Sequence, residues 1–263
     1  MSAAERKKRA EERLQRVREE GKQWFKELQK LQKPVSLEGV VLVIADVHGN
    51  LPALEKALQF AEHHGMTQLL SLGDLLDYNK EGEQVLDRIL HHPLLVTALK
   101  GNHETSLHQP EPDYYVTEFS DDPVDPTLAR AALALPSQVI AHLPTGQEVL
   151  LCHDNPWGFT ATYLYPDDVG LLEVFLEDIP WSGFWFGHTH IASYHERWSK
   201  HAFNPGSLGV SRTTSPDLTF ALFHAEAGRI DLYGMHPSLE QGGPASNEPL
   251  HLRSLKLPHY PTS

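Results

Sequence analysis

The sequence predicts an α/β protein, on two observations. From residue 40, short apolar runs alternate with helix-patterned stretches, and the runs are continuous, as in strands buried on both faces. The order β-α-β-α-β between residues 40 and 99 favours parallel pairing through right-handed crossovers.

Each element has a local reason. Residues 3–33 are rich in Ala, Glu, Lys, Arg and Gln and read as one helix, stopped by Pro34. Leu14, Val17, Gly21, Trp24, Leu28 and Leu31 fall at steps of three and four, a heptad seam with one glycine gap. Such a helix can pack on its own domain, pair with a partner or a second copy (a homo-oligomer), or offer a basic arm to a phosphate polymer. Residues 40–45 form the first buried strand. Asn50 caps and Pro52 opens a helix with Leu51, Leu54, Leu58 and Ala61 on one face, ended by Gly65. Residues 69–72 are the next strand; Val85, Leu86, Ile89 and Leu90 mark a helix; residues 94–99 are a third strand. The Pro- and acid-rich stretch 108–126 reads as a long loop or cap. Strand-like runs return at 148–152, 183–186 and 218–223, and the Pro/Gly/Ser-rich stretch from Pro237 reads as a tail. The expected organisation is a charged helix at 1–36, a domain at 37–236 and a tail at 237–263.

Charge narrows the function. The 263 residues carry a net charge of −13, unevenly placed. Residues 1–33 hold 11 Lys/Arg against 6 Asp/Glu; the rest hold 11 against 29. So acidic a body repels a nucleic acid polymer unless bound cations reverse the local field, and 17 histidines make bound cations worth pursuing. No run approaches the roughly 18 apolar residues of a membrane helix. The lone Cys152 cannot form an internal disulfide, and residues 1–33 lack the apolar stretch of a secretory leader, so a cytoplasmic location is expected.

The residues that end the apolar runs carry the chemistry. The runs lead into Asp46-Val47-His48, Gly73-Asp74, Gly101-Asn102-His103-Glu104, His153 and Gly187-His188-Thr189-His190. Oxygen and imidazole donors thus gather at the carboxyl ends of strands, where open α/β sheets build their sites. In Asp46-x-His48 and His188-x-His190, extended backbone would throw both donors to one side, with Gly49, Gly73, Gly101 and Gly187 supplying tight turns. Asp46, His48, Asp74, Asn102, His153, His188 and His190 are too many donors for one structural ion. They suit two adjacent divalent ions sharing a carboxylate. A nitrogen and oxygen set without thiolate points to Mn²⁺, Fe or Zn²⁺.

These five motifs stand in the order of the calcineurin-like metallophosphoesterase superfamily, which the chain resembles over roughly residues 40–235. Asn204-Pro-Gly-Ser-Leu-Gly209 resembles its compact bacterial, phosphodiesterase-type branch. The resemblance implies a four-layer αββα sandwich of two mostly mixed β-sheets flanked by helices. It implies Asp46, His48 and His190 on one metal, with Mn²⁺ the expected ion, and Asn102, His153 and His188 on the other. Asp74 would bridge them, and His103 would be a catalytic non-ligand that protonates the leaving oxygen or stabilises the phosphorane charge. A metal-bridging hydroxide would attack the phosphate ester in line. The chain departs from the family in Glu104, where Asp is usual and which is expected to orient His103, and in Asp154-Asn155-Pro156, which sets a carboxylate beside the second metal.

The expected activity is hydrolysis of small phosphodiesters such as cyclic nucleotides. The alternatives are phosphomonoesters, phosphoproteins, or no reaction at all: a metal-binding protein-interaction scaffold, like a retromer subunit of the superfamily that lacks the catalytic histidine. Arg212 is a candidate phosphate contact along with Asn102 and His103, or else a surface salt bridge. Asp77 and Tyr78 are placed to line the pocket. Trp157, Phe159, Tyr163 and Tyr165 either stack a substrate ring or pack the cap loop. Cys152 should point into the core, and His63, His64, His91 and His92 should sit at helix ends. If the N-terminal helix is only a tether, deleting residues 1–33 should leave activity on small esters unchanged.

Overall fold

The computed structural model describes residues 3–31, 33–158, 162–214, 217–236 and 249–258. Phe159 and most of the expected tail lie outside the described residues. In chain order the elements are α1 (Ala3–Leu31), β1 (Val35–Ser36), β2 (Val40–Ile44), α2 (Leu51–His63), β3 (Gln68–Ser71), α3 (Gly82–Leu90) and β4 (Leu95–Ala98). Next come α4 (Asn102–Thr105), β5 (His108–Glu111), β6 (Tyr114–Val116), α5 (Pro126–Leu133), β7 (Gln138–His142) and β8 (Glu148–Cys152). The last are α6 (Val169–Asp178), β9 (Gly183–Trp185), β10 (Ser193–Arg197), β11 (Lys200–Asn204), β12 (Leu218–His224), β13 (Arg229–Met235) and β14 (Leu250–Lys256).

Two six-stranded mixed sheets face each other. One runs β14-β13-β12-β2-β3-β4, the other β1-β7-β8-β9-β11-β10. β2, β3 and β4 are parallel, as the β-α-β-α-β pattern predicts, and so are β8, β9 and β11. The continuous apolar runs have a direct explanation. In β2, Val41 and Val43 point between the sheets while Leu42 and Ile44 point to α2, α3 and α5. In β8, Val149 and Leu151 face the inter-sheet core, and Leu150 and Cys152 face α1 and α6. Each strand buries both faces, and the layers are helix, sheet, sheet, helix.

Capping sets the helix starts. The Asn50 side chain accepts from the Ala53 amide at 3.1 Å. Asp125 accepts from the Thr127 and Leu128 amides at 2.7 and 3.2 Å and opens α5, with Pro126 in its first turn. The loop expected over 108–126 runs through this Asp-Pro signal, so α5 is not foreseen. The same stretch holds the small β5–β6 hairpin, with Tyr115 bridged to Val124. β10 and β14 are not foreseen either, because both are polar edge strands without a buried run. β14 lies within the stretch expected as a tail and pairs antiparallel with β13.

α1 packs on its own domain. Gly21, Phe25 and Leu28 are buried against α6, Trp157 and Trp181, while Leu14 of the seam is exposed. Asp178 on α6 anchors it, accepting from Arg18 Nε and Nη2 at 2.7 and 2.6 Å and lying 3.1 Å from Lys22 Nζ.

Candidate metal centre

The carboxyl ends of β2, β3 and β4 meet those of β8 and β9 at one edge of the sandwich. Asp46 and His48 follow β2, Asp74 follows β3, Asn102 opens α4 after β4, His153 follows β8, and His188 and His190 follow β9. All seven sequence-predicted donors are carried to this edge. They do not converge through the pleat of an extended strand, the route expected from their i, i+2 spacing. Asp46, His48, Asp74, His188 and His190 have φ between 47° and 68°, left-handed turns that swing each side chain inward. With Asp77 and Tyr78 they make seven of the nine non-glycine residues with positive φ among the described residues. Each such residue costs on the order of 1 kcal/mol or more, so the strain is concentrated at the site. Gly73 supplies a left-handed turn at φ 101°, but Gly101 acts differently: a Cβ there would overlap Asp74 Oδ1. It is needed for close approach.

The donors form overlapping groups. In one, Asp46 Oδ1 lies 3.4 Å from His190 Nε2 and 4.0 Å from His48 Nε2. In another, Asp74 Oδ2 lies 3.1 Å from His153 Nε2, with His188 completing the cluster. Asp74 Oδ2 also stands 3.9 Å from both His48 and His103 Nε2, so Asp74 is common to the two sides. All these residues are buried.

The outer contacts of the imidazoles test whether cations fit here. His48 Nδ1 donates to the Leu76 carbonyl at 2.8 Å, and His190 Nδ1 to the Val210 carbonyl at 2.9 Å. Both protons therefore sit on Nδ1, and the two Nε2 lone pairs face each other at 3.0 Å. That confrontation is repulsive unless a cation sits between them. His153 Nδ1 is likewise committed to the Leu72 carbonyl at 2.7 Å, and the Asn102 Oδ1 is buried with no hydrogen-bond partner. Histidines fixed through one nitrogen with the other directed inward are the usual metal-binding arrangement.

Electrostatics agree at three of the four imidazoles. Burial lowers His48 to about 4 against the pull of Asp74. Burial, with His153 for His188 and His48 for His190, lowers these two to about 3. All three rings are neutral near pH 7 and can bind a cation. Burial opposes charge on His153 too, but the charge and hydrogen bond of Asp74 prevail and raise it to about 10. Burial and the neighbouring Asp74 push Asp46 up; burial would also raise Asp74, yet His153 holds it far below the carboxylate range.

His103 is oriented by a residue the sequence placed only in the pocket wall. Its Nδ1 donates to Asp77 Oδ2 at 2.5 Å, and the Thr117 hydroxyl donates to Asp77 Oδ1 at 2.6 Å. Glu104, expected to orient His103, instead accepts from the amides of Asp74, Leu75, Leu76 and Gly101 at 2.8–3.2 Å. It ties the Asp74 turn to the Asn102 turn. A carboxylate aimed at four amides in a buried turn is not free to reach an imidazole. The spacing Gly73-Asp74-x-x-Asp77 was the available signal for Asp77.

A cleft of about 480 Å³ adjoins the centre, reaching from Asn102, His153 and His188 past Asp154 and Phe119 to Gln138 and Gly158. Arg212 is exposed and donates to the Tyr78 hydroxyl at 3.3 Å; its charge acts on His188 and His190. Cys152 is buried in the outer core, as expected.

A four-layer sandwich whose strand ends bring together imidazole and carboxylate groups sharing one aspartate is built as two-metal phosphoester hydrolases are. Residues 40–228 match the family model described as the calcineurin-like phosphoesterase superfamily domain, and the chain belongs to that superfamily; it is a metallophosphoesterase. Phosphodiesterase YfcE of Escherichia coli is 24% identical over 184 residues, covering 67% of this chain and 83% of the relative. The crystal structure of a metallophosphoesterase from Sphaerobacter thermophilus superposes with a TM-score of 0.61 at 21% identity, covering 75% and 88% of the two chains. That of Chaetomium thermophilum Vps29 gives 0.53 at 16%, covering 85% and 98%.

Proposed function

We propose that the chain is a phosphodiesterase for small diesters, of which cyclic nucleotides are one class. In this reading Asp46, His48 and His190 hold one divalent cation, Asn102, His153 and His188 hold a second, and Asp74 lies between them. Mn²⁺ is the ion proposed. The observation that carries it is the pair of Nε2 lone pairs 3.0 Å apart on His48 and His190, beside a second cluster that shares Asp74. When bound, such ions neutralise the phosphoryl oxygens and make water a nucleophile near neutral pH.

The chain's own groups do the rest. The His103 Nε2 faces the centre while Nδ1 is held by Asp77, so the ring can give a proton to the departing ester oxygen. Asp77 stabilises the imidazolium and Thr117 holds Asp77. Arg212 at the rim offers a contact to a phosphoryl oxygen. The cleft carries one ammonium, Lys100, whose Nζ donates to the Leu133 carbonyl, and two carboxylates, Glu118 and Asp154. That negative excess repels a singly charged diester less than a monoester, which approaches two charges at neutral pH. The YfcE relative, named a phosphodiesterase, supports the same preference.

The test is turnover of bis-p-nitrophenyl phosphate beside p-nitrophenyl phosphate, with Mn²⁺ and with chelator. Faster diester turnover, abolished by chelation, is expected. A monoester preference would move the assignment to phosphatases; no turnover with metal bound would favour a scaffold.

A further inference from the structure

Three of the large apolar or aromatic side chains left exposed each rest on a different imidazole of the centre. Phe119, 55% exposed, lies on His103 with ring centroids 4.2 Å apart at 34°. Tyr163, 42% exposed, stacks on His188 at 4.0 Å and 27°. Tyr78, 58% exposed, meets His48 edge-on at 4.5 Å. Tyr165 continues the surface, parallel to Tyr163 within 7° at 5.7 Å. A singly exposed ring is ordinary, but four of the five exposed aromatic side chains among the described residues gather around one buried site, as at a binding surface.

We propose that Phe119, Tyr163 and Tyr78 recognise a planar ring carried next to the substrate phosphate. The chain would then select nucleoside or aryl phosphodiesters over alkyl ones. Phe119 and Tyr163 each set one face on a histidine, Tyr78 meets His48 edge-on, and all three keep exposed surface to offer; stacking tolerates any base because every base has a π-face. Phe119 lines the 480 Å³ cleft beside Asn102, His153 and His188. That volume lies within the range of small-molecule sites and is of a size for one nucleoside. The charges along it, Lys100 against Glu118 and Asp154, do not make a track for a polynucleotide backbone. The inference rests on the phosphodiesterase reading for the placement of the phosphate, but its test reads binding as well as turnover.

The experiment measures calorimetric binding of thymidine 5′-monophosphate and methyl phosphate to the full chain in Mn²⁺. It pairs this with hydrolysis of thymidine 5′-(p-nitrophenyl phosphate) against methyl p-nitrophenyl phosphate, which share a leaving group. The thymidine ligand should bind about tenfold tighter, the yield of one good stack. Phe119→Ala and Tyr163→Ala should bring that ratio toward one, while Phe119→Tyr keeps it. Equal binding of the two phosphates by the unaltered chain overturns the proposal. So does a loss in Phe119→Ala that is equal for both ligands, which would make the ring a mere support for His103. Selective binding without turnover of either ester upholds ring recognition and overturns the hydrolase reading alone.

Discussion

His103 and Asp77 are buried 2.5 Å apart, and in the proposed reaction that pair serves the leaving group. Replacing His103 by Ala should lower kcat by about 10²–10³. Metal content, measured by elemental analysis, should stay unchanged; lost metal would instead make His103 a ligand, as its distance to Asp74 permits. Asp77→Asn should cost less, because the ring survives and only its orienting charge is removed. A second buried histidine is structural. His201 accepts from Trp185 Nε1 at 3.0 Å, and burial lowers it to about 3. Below about pH 6.5 the unfolded chain takes up a proton that the folded chain refuses, so stability falls as pH falls from about 6.5 towards 3. The slope for one such proton is about 1.4 kcal/mol per pH unit. Urea unfolding of metal-free protein at pH 7 and pH 5 should show this loss, and His201→Gln should reduce it.

At the scale of elements, α1 braces the cleft wall from behind through Gln138. Trp24 Nε1 donates to Gln138 Oε1 at 2.7 Å, and Gln138 Nε2 donates to the carbonyls of Asn155 and Pro156 at 3.0 and 2.9 Å. Those carbonyls belong to the turn that follows His153. Phe25 meets Trp181 edge-on at 5.3 Å. Phe25→Ala should therefore destabilise the protein by about 3–5 kcal/mol in urea unfolding. Deleting residues 1–33 should impair both folding and activity, because it bares Trp157, Phe175 and Trp181. A free tether would have left small-ester turnover intact.

At the scale of the whole molecule, the centre joins the two sheets. The His188 amide of one side donates to both Asp46 oxygens of the other at 3.0 and 2.9 Å, and His153 donates across to Leu72. Ser207 Oγ adds a bond to the Asp46 carbonyl at 2.7 Å. A cation held here binds only the assembled sandwich, so it stabilises by mass action, about 2.7 kcal/mol at 100 times its Kd. Scanning calorimetry should show Tm rising with Mn²⁺ and falling with chelator, and Asp74→Asn should flatten both responses. The body's net negative charge makes that cation the local reversal of field that an anionic ester needs.

The sequence by itself determined the continuous apolar runs of β2, β3, β4, β8, β9 and β12, though not the equally buried β7 and β11, and with them the α2 cap and the seven donors at strand ends. Each of these is written in a few neighbouring residues: a continuous apolar run, an Asn-x-Pro start, an Asp-x-His. Tertiary structure alone decided that Asp77 rather than Glu104 orients His103, and that left-handed turns rather than pleat converge the donors. It also decided that α1 covers the outer core and that β14 completes a sheet. These depend on which distant segments approach one another, and a carboxylate takes whichever donors the folded backbone brings within reach.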